Sequence, residues 1–280
     1  MRGTVSVIMP AYKAHATIGY SVKSVLDQSY SAWELVIVAD DGVDYGPVLG
    51  AEGITDTRIK FLDSGQLGGG ASAARNVALD NISTEYAAIL DADDRLKPQK
   101  LERAVNALAE HPIVTTALDV MDEQFVHLRF VASGPDRVLT PGAHKWVNIS
   151  MDSMLVWDRR AADGRYDLSM SNMTDLEFLL QLYRTAPQSF HLGAPLHDYI
   201  KRAGSMSNSD KAKAGMIASK QVLLQRLGST YYPLANDKGR DGLIDFLEVS
   251  LQAERLYAPE TGQLFEDHLE PMLNKNGQPV

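Results

Sequence analysis

From Val5 to Glu110, short apolar runs alternate with stretches of helical periodicity, and this alternation constrains the fold more than any other feature. Val5 to Met9 (VSVIM) reads as a buried strand stopped by Pro10. Ile18, Val22, Val25 and Leu26 then fall on one helical stripe, with Thr17 in the capping position. Glu34 to Ala39, Ile59 to Leu62 and the run Tyr86 to Leu90 supply three further strands. Helices are expected over Ala71 to Asn81 and about Pro98 to Glu110. Strands alternating with helices predict a mainly parallel sheet with helices on its faces. Ligands bind such sheets at the edge formed by the carboxyl ends of the strands.

Three strand ends on that edge are acidic or polar: Pro10-Ala11-Tyr12, Asp40-Asp41-Gly42 and Asp91-Ala92-Asp93-Asp94. Carboxylates as close as Asp91, Asp93 and Asp94 repel one another unless a cation sits among them. A divalent ion shared with substrate phosphates suits such oxygen donors. Taken alone, an acidic turn is also an ordinary start to the next helix. A calcium loop counted from Asp91 to Glu102 fails, because a strand precedes it and Arg95 and Leu96 hold its fifth and sixth positions.

Beyond His111 the alternation stops. Ile113 to Val120 and Phe125 to Val131 read as strands around a turn at Asp122-Glu123, and Ser153 to Trp157 as another. Thr174 to Tyr183 carries a helical stripe of Leu176, Leu179, Leu180 and Tyr183. His191 to Ile200 reads as extended or irregular, Lys211 to Arg226 and Gly239 to Tyr257 as amphipathic helices, and Asn274 to Gly277 as a frayed tail. The expected division is a domain over 1–208, with halves 1–110 and 111–208, followed by a helical extension over 209–280.

The formal charge of -9, from 27 basic and 36 acidic residues, argues against a general nucleic-acid binder. With no cysteine, disulfides and thiolate metal sites are excluded. No apolar run is long enough to cross a membrane and the N-terminus lacks a secretion-signal profile, so a soluble cytoplasmic protein is expected. Contact with the inner face of the membrane stays open. Gly68-Gly69-Gly70-Ala71-Ser72-Ala73 fits the letters of a dinucleotide fingerprint but does not follow the first strand, so it reads as a turn entering a helix that carries Arg75.

Together, VSVIMPAYKA, SVLDQSY-SAWELVIVADDG, GGGASAARN-VAL and EYAAILDADD-RLKPQKLE resemble the inverting nucleotide-sugar glycosyltransferases of family 2. The resemblance is close over residues 4–110 and looser to about 207. It implies the α/β GT-A fold, Rossmann-like, with the helical extension added. It also implies a nucleotide-sugar donor, UDP-linked in most of the family, and a carbohydrate or lipid-linked acceptor. By the same resemblance Pro10, Ala11, Tyr12 and Asp41 would hold the base with Asp40 in support, and Arg75 would brace the nucleotide site. Asp91 would reach the ribose and metal region, Asp93 would be the main ligand of Mg²⁺ or Mn²⁺, and Asp94 would orient acceptor or metal waters. Asp175 falls at the position of the general base, preceded here by Thr174 where relatives often carry Glu. As the opening of a helix, Asp175 is expected to be held ionised by the helix dipole.

Departures are visible. Lys13 and Val43 replace the family's usual Asn and Ser. Aligning on Ser205-Met206-Ser207 puts Arg202 where many relatives carry a metal-binding His, so Arg202 would meet diphosphate charge directly, or His197 would serve as the third ligand. Trp146, Trp157 and Tyr166 are candidates for stacking on sugars, and a homodimer is compatible with the amphipathic helices. The rival expectations are a catalytically inactive nucleotide-sugar-binding scaffold and a nucleotidyltransferase. The second would need a phosphate loop after the first strand, where Pro10-Ala11-Tyr12 stands.

Overall fold

The computed structural model describes residues 3–202, 210–258 and 263–274. The strands are β1 (Val5–Ala11), β2 (Trp33–Ala39), β3 (Ile59–Asp63), β4 (Tyr86–Ile89), β5 (Arg95–Leu96), β6 (Ile113–Met121), β7 (His127–Val131), β8 (Arg137–Leu139), β9 (Leu155–Asp158) and β10 (Ser189–Ile200). The helices are α1 (Ile18–Leu26), α2 (Tyr45–Ala51), α3 (Ala71–Asn81), α4 (Lys100–Leu108), α5 (Thr174–Leu182), α6 (Asp210–Leu227), α7 (Arg240–Leu256) and α8 (Phe265–Asn274). All strands join one sheet in the order β3-β2-β1-β4-β9-β6-β10-β5, with β7 on β6 and β8 on β10.

The four strands β3, β2, β1 and β4 run parallel, as the early alternation predicts. Antiparallel β9 then separates them from the parallel pair β6 and β10. Alternation along β1 assigns the two faces. Val5, Val7 and Met9 pack with Ile18, Val22, Leu49, Leu101 and Leu108 from α1, α2 and α4. Ile8 points the other way, toward Ala74 and Ala78 of α3 and Leu176, Leu179 and Leu180 of α5. The same apolar cluster takes in Leu223 and Leu227 of α6, Phe246 and Leu247 of α7, and Leu269 and Leu273 of α8. The C-terminal helices, expected as an extension, therefore share a continuous core with the sheet, while the proposed boundary at 208 and the Ser205-Met206-Ser207 alignment lie outside the described residues, as does the tail beyond Asn274.

Some elements differ from expectation for identifiable reasons. The segment His191 to Ile200 belongs to the twelve-residue strand β10. Its pattern is obscured by Pro195, by register shifts around it, and by Gly193, where a Cβ would stand 1.8 Å from the Gly134 carbonyl oxygen. Helix α2 carries Gly46, Pro47 and Gly50, poor helix formers, and is held by Asp44 accepting from the Gly46 amide and by buried Tyr45 and Leu49. Helix α8 contains Pro271 and is tied down by Arg129 to Asp267 and Glu270 at 3.0 and 2.6 Å. Thr17 precedes α1 without making the expected side-chain cap; its hydroxyl donates to the Ala14 carbonyl.

Candidate active site

Strands β2, β1 and β4 are adjacent and parallel, so Tyr12, Asp40-Asp41 and Asp91 to Asp94 leave the sheet along one edge. The two adjacent acids of β2 have different surroundings. Buried Asp40 accepts from the Gly69 amide at 3.1 Å, the Gly70 amide at 2.8 Å and the Ser64 hydroxyl at 2.8 Å. It therefore anchors the glycine turn, which reaches α3 through Gly70 at φ 93°. Asp41 accepts from the Lys13 amide at 2.5 Å, the Tyr45 hydroxyl at 2.9 Å and the Val43 amide at 3.2 Å. Burial pushes its pKa up, but these donors outweigh burial and hold the carboxyl below its usual range. Lys13 adopts φ 52° as it donates its amide to Asp41, and the neighbouring Tyr12 ring is exposed.

Arg75 on α3 lies beneath this edge, almost fully buried. It meets Asp91 at 2.5 Å and Asp152 at 2.9 Å, and Asp152 also accepts from the Tyr166 hydroxyl at 3.1 Å. Both acids favour the guanidinium's charge against burial and raise its pKa further. Asp152 is a member of the site that the sequence does not single out. Nothing in the spacing of Met151-Asp152-Ser153 marks it, because its partner is brought by another layer of the fold. Asn76, next on α3, holds Tyr166 by a reciprocal pair of 2.9 Å hydrogen bonds to its backbone.

Asp93 and Asp94 face different ways. No hydrogen bond from another described residue reaches the Asp93 carboxylate, and burial together with the charge of Asp91 pushes its pKa up to about 6, opposed by Arg202. An acid destabilised by burial and a like neighbour fits a hard cation, with Asp91 offering its second oxygen. Among the described residues no three His, Asp or Glu side chains form a ligand set, so the fit is to an ion that completes its shell with substrate phosphates. His197 does not extend this set: its Nε2 faces Asp94 Oδ2 at 3.2 Å and its Nδ1 faces Lys100 Nζ at 2.9 Å, so both ring nitrogens are engaged. Asp94 is itself buried, with Oδ1 accepting from the Ile200 amide at 2.7 Å and Oδ2 facing His197, so both its oxygens have partners within the protein.

Asp175 stands in the first turn of α5, after Met173 in the left-handed region at φ 55°. Such backbone strain in a non-glycine residue concentrates at functional sites. The helix dipole was expected to keep Asp175 ionised. Instead burial, reinforced by the charge of Asp152, raises its pKa to about 7. Lys220 of α6 is close enough to feel Asp175, so the C-terminal helices reach this side of the site. The aromatic candidates fare differently. Trp157 and Tyr166 are buried in the core, with Tyr166 stacked on Phe178 at 4.3 Å, and Trp146 is partly buried against the cluster under β6. Neither Trp157 nor Tyr166 offers a face to a sugar.

Residues 6–131 match the family model described as Glycosyl transferase family 2. The glycosyltransferase TuaG of Bacillus subtilis (strain 168), whose name assigns it to teichuronic acid biosynthesis, is 31% identical over 216 residues, covering 75% of this chain and 83% of TuaG. The UDP-Glc:alpha-D-GlcNAc-diphosphoundecaprenol beta-1,3-glucosyltransferase WfgD of Escherichia coli is 40% identical over 109 residues, 39% of this chain and 42% of WfgD. That match spans less than half of WfgD. In fold, S. aureus TarS 1-349 in complex with UDP is similar with a TM-score of 0.70 at 16% identity, over 94% of this chain and 76% of that one. The mannosyltransferase PcManGT from Pyrobaculum calidifontis, in complex with GDP-Man and Mn²⁺, is similar with a TM-score of 0.59 at 16% identity, over 98% of this chain and 74% of that one. This chain belongs to glycosyltransferase family 2 and has the GT-A fold.

Proposed function

We propose that the protein transfers a sugar, with inversion, from a UDP-linked donor to a hydroxyl of a carbohydrate or lipid-linked acceptor, assisted by Mg²⁺ or Mn²⁺. The observation that carries this reading is the gathering of Asp41, Asp91 and Asp93 at the carboxyl ends of parallel strands in one sheet, with Asp175 on α5 feeling the charges of Asp152 and Arg75, the pair that also engages Asp91. The UDP complex of TarS and the UDP-Glc donor and diphosphoundecaprenol acceptor in the name of WfgD support the choice of ligands.

Asp41, ionised and fixed by three donors, accepts from the imide N–H of the base while the exposed Tyr12 ring lies against it. Asp93 and Asp91 would hold the ion, which when bound supplies positive charge to the diphosphate. Arg202, whose charge lowers the pKa of Asp93, is the chain's own cation for the same diphosphate charge. Asp175 takes the acceptor's hydroxyl proton as the oxygen attacks the anomeric carbon. The bond to UDP breaks on the far face, UDP leaves with the electron pair, and the configuration inverts. A base with a pKa near 7 is matched to this task at neutral pH.

Calorimetry of UDP binding with Mn²⁺ and with a chelator tests the reading. UDP should bind about tenfold tighter with Mn²⁺, ~1.4 kcal/mol, and Asp93→Ala should erase that difference. Equal affinity in both conditions overturns the metal assignment.

A further inference from the structure

Behind the acidic edge runs a buried polar chain that never reaches the surface. Lys100 at the start of α4 and His197 on β10 are both completely buried, and Asp94 is 2% exposed. Lys100 Nζ donates to the Ser153 carbonyl at 2.5 Å and lies 2.9 Å from His197 Nδ1. His197 Nε2 lies 3.2 Å from Asp94 Oδ2, and Asp94 Oδ1 accepts from the Ile200 amide at 2.7 Å. His197 thus bridges Lys100 and Asp94 through its two ring nitrogens, and Lys100 ties the far end to the Ser153 backbone.

We propose that Lys100 and His197 are positioning residues for the metal-diphosphate site. Through Asp94 they fasten the loop that carries Asp93 to the end of β10, which leads by Ile200 to Arg202. Three observations converge on this. Asp94 sits directly after Asp93, and Arg202 comes two residues after the amide that Asp94 accepts from. Arg202 acts electrostatically on Asp93 across the gap. The other end of the chain grips Ser153, whose neighbour Asp152 holds Arg75 and so Asp91. The chain thus fastens both sides of the acidic edge from below. Buried ion pairs of this kind are commonly replaceable by apolar residues without loss of stability. What an apolar replacement would lose here is the fixed spacing of Asp93 and Arg202.

This inference rests on the proposed metal-assisted UDP binding, and its test separates the two. UDP affinity is measured by calorimetry with Mn²⁺ and with chelator for the full chain, His197→Met and His197→Gln, alongside thermal midpoints. Glutamine carries both a donor and an acceptor and can hydrogen-bond Lys100 and Asp94 together; methionine cannot. His197→Met should reduce the affinity gained from Mn²⁺ by roughly tenfold, the scale on which groups behind a metal's ligands act. Its chelator-measured affinity should stay within about twofold, and His197→Gln should restore most of the metal-dependent gain. A His197→Met protein with a lowered thermal midpoint but an unchanged Mn²⁺-dependent gain overturns the positioning role. If His197→Met does not fold, His197→Asn, too short to span both partners yet polar, is read the same way. No Mn²⁺-dependent gain in the unaltered protein would instead sink the metal reading itself.

Discussion

Asp40 and Asp41 are chemically identical neighbours, yet one anchors the turn at Gly69-Gly70 and the other presents its carboxylate at the ligand edge. Sequence places both at the strand end, but only the fold decides which is buried in the turn, because the partners of Asp40 arrive from the turn after β3. Asp175 shows the same limit in another form. Its position at a helix start was legible, while its raised pKa depends on Asp152 and on burial by packed layers. Asp175→Asn should lower turnover by roughly a hundredfold or more. UDP affinity should stay within about twofold, ~0.4 kcal/mol. Turnover of the unaltered protein should rise with pH and level off above about 7, as Asp175 loses its proton. The folded state raises this pKa and therefore binds the proton more tightly than the unfolded chain. Its stabilising contribution is full below the ordinary carboxylate range and is lost as pH climbs through about 7. Asp175→Asn should thus melt higher than the parent at pH 8, by about 2 to 4 °C. A variant that melts no higher there, or turns over normally, moves the base elsewhere.

Among the elements, the C-terminal helices carry the clearest expectation. Leu223, Leu227, Leu243, Phe246, Leu247, Leu269 and Leu273 lie in the same apolar cluster as α5 and the sheet. At roughly 1.5–3 kcal/mol for each large side chain, their removal rivals the whole stability of a domain, about 5–15 kcal/mol. A chain truncated after Asp210 should therefore lose its cooperative melt by circular dichroism, and a truncated chain that keeps it would show these helices to be dispensable. Most strands and helices of the first half were legible because each is amphipathic or apolar on its own. Strand β10 was not, since its buried Ser189, His191, His197 and Asp198 look like loop residues until their partners are known. Lys100 and His197, 97 residues apart, meet only in the folded sheet, and no local pattern announces the pair. Helix α2 fails on propensity and forms through its cap and two buried side chains, an outcome set by tertiary packing.

Across the whole molecule, a formal charge of -9 coexists with a site for a polyanionic donor, so cations must be placed locally. Among the described residues no helix is long and apolar enough to cross a membrane. Arg75, buried under the ligand edge, is already paired with Asp91 and Asp152. On the proposed reading its charge is not free to attract a nucleotide, which leaves that work to Arg202 and to an ion brought from solution. Metal and nucleotide are then bound by thermodynamic reciprocity: whatever factor Mn²⁺ adds to the affinity for UDP, UDP must add to the affinity for Mn²⁺. Titrating Mn²⁺ with and without UDP should return the same factor as the converse experiment. On the proposed reading, the internal pairing of one arginine would make the protein a coincidence detector, holding either ligand weakly and both together well.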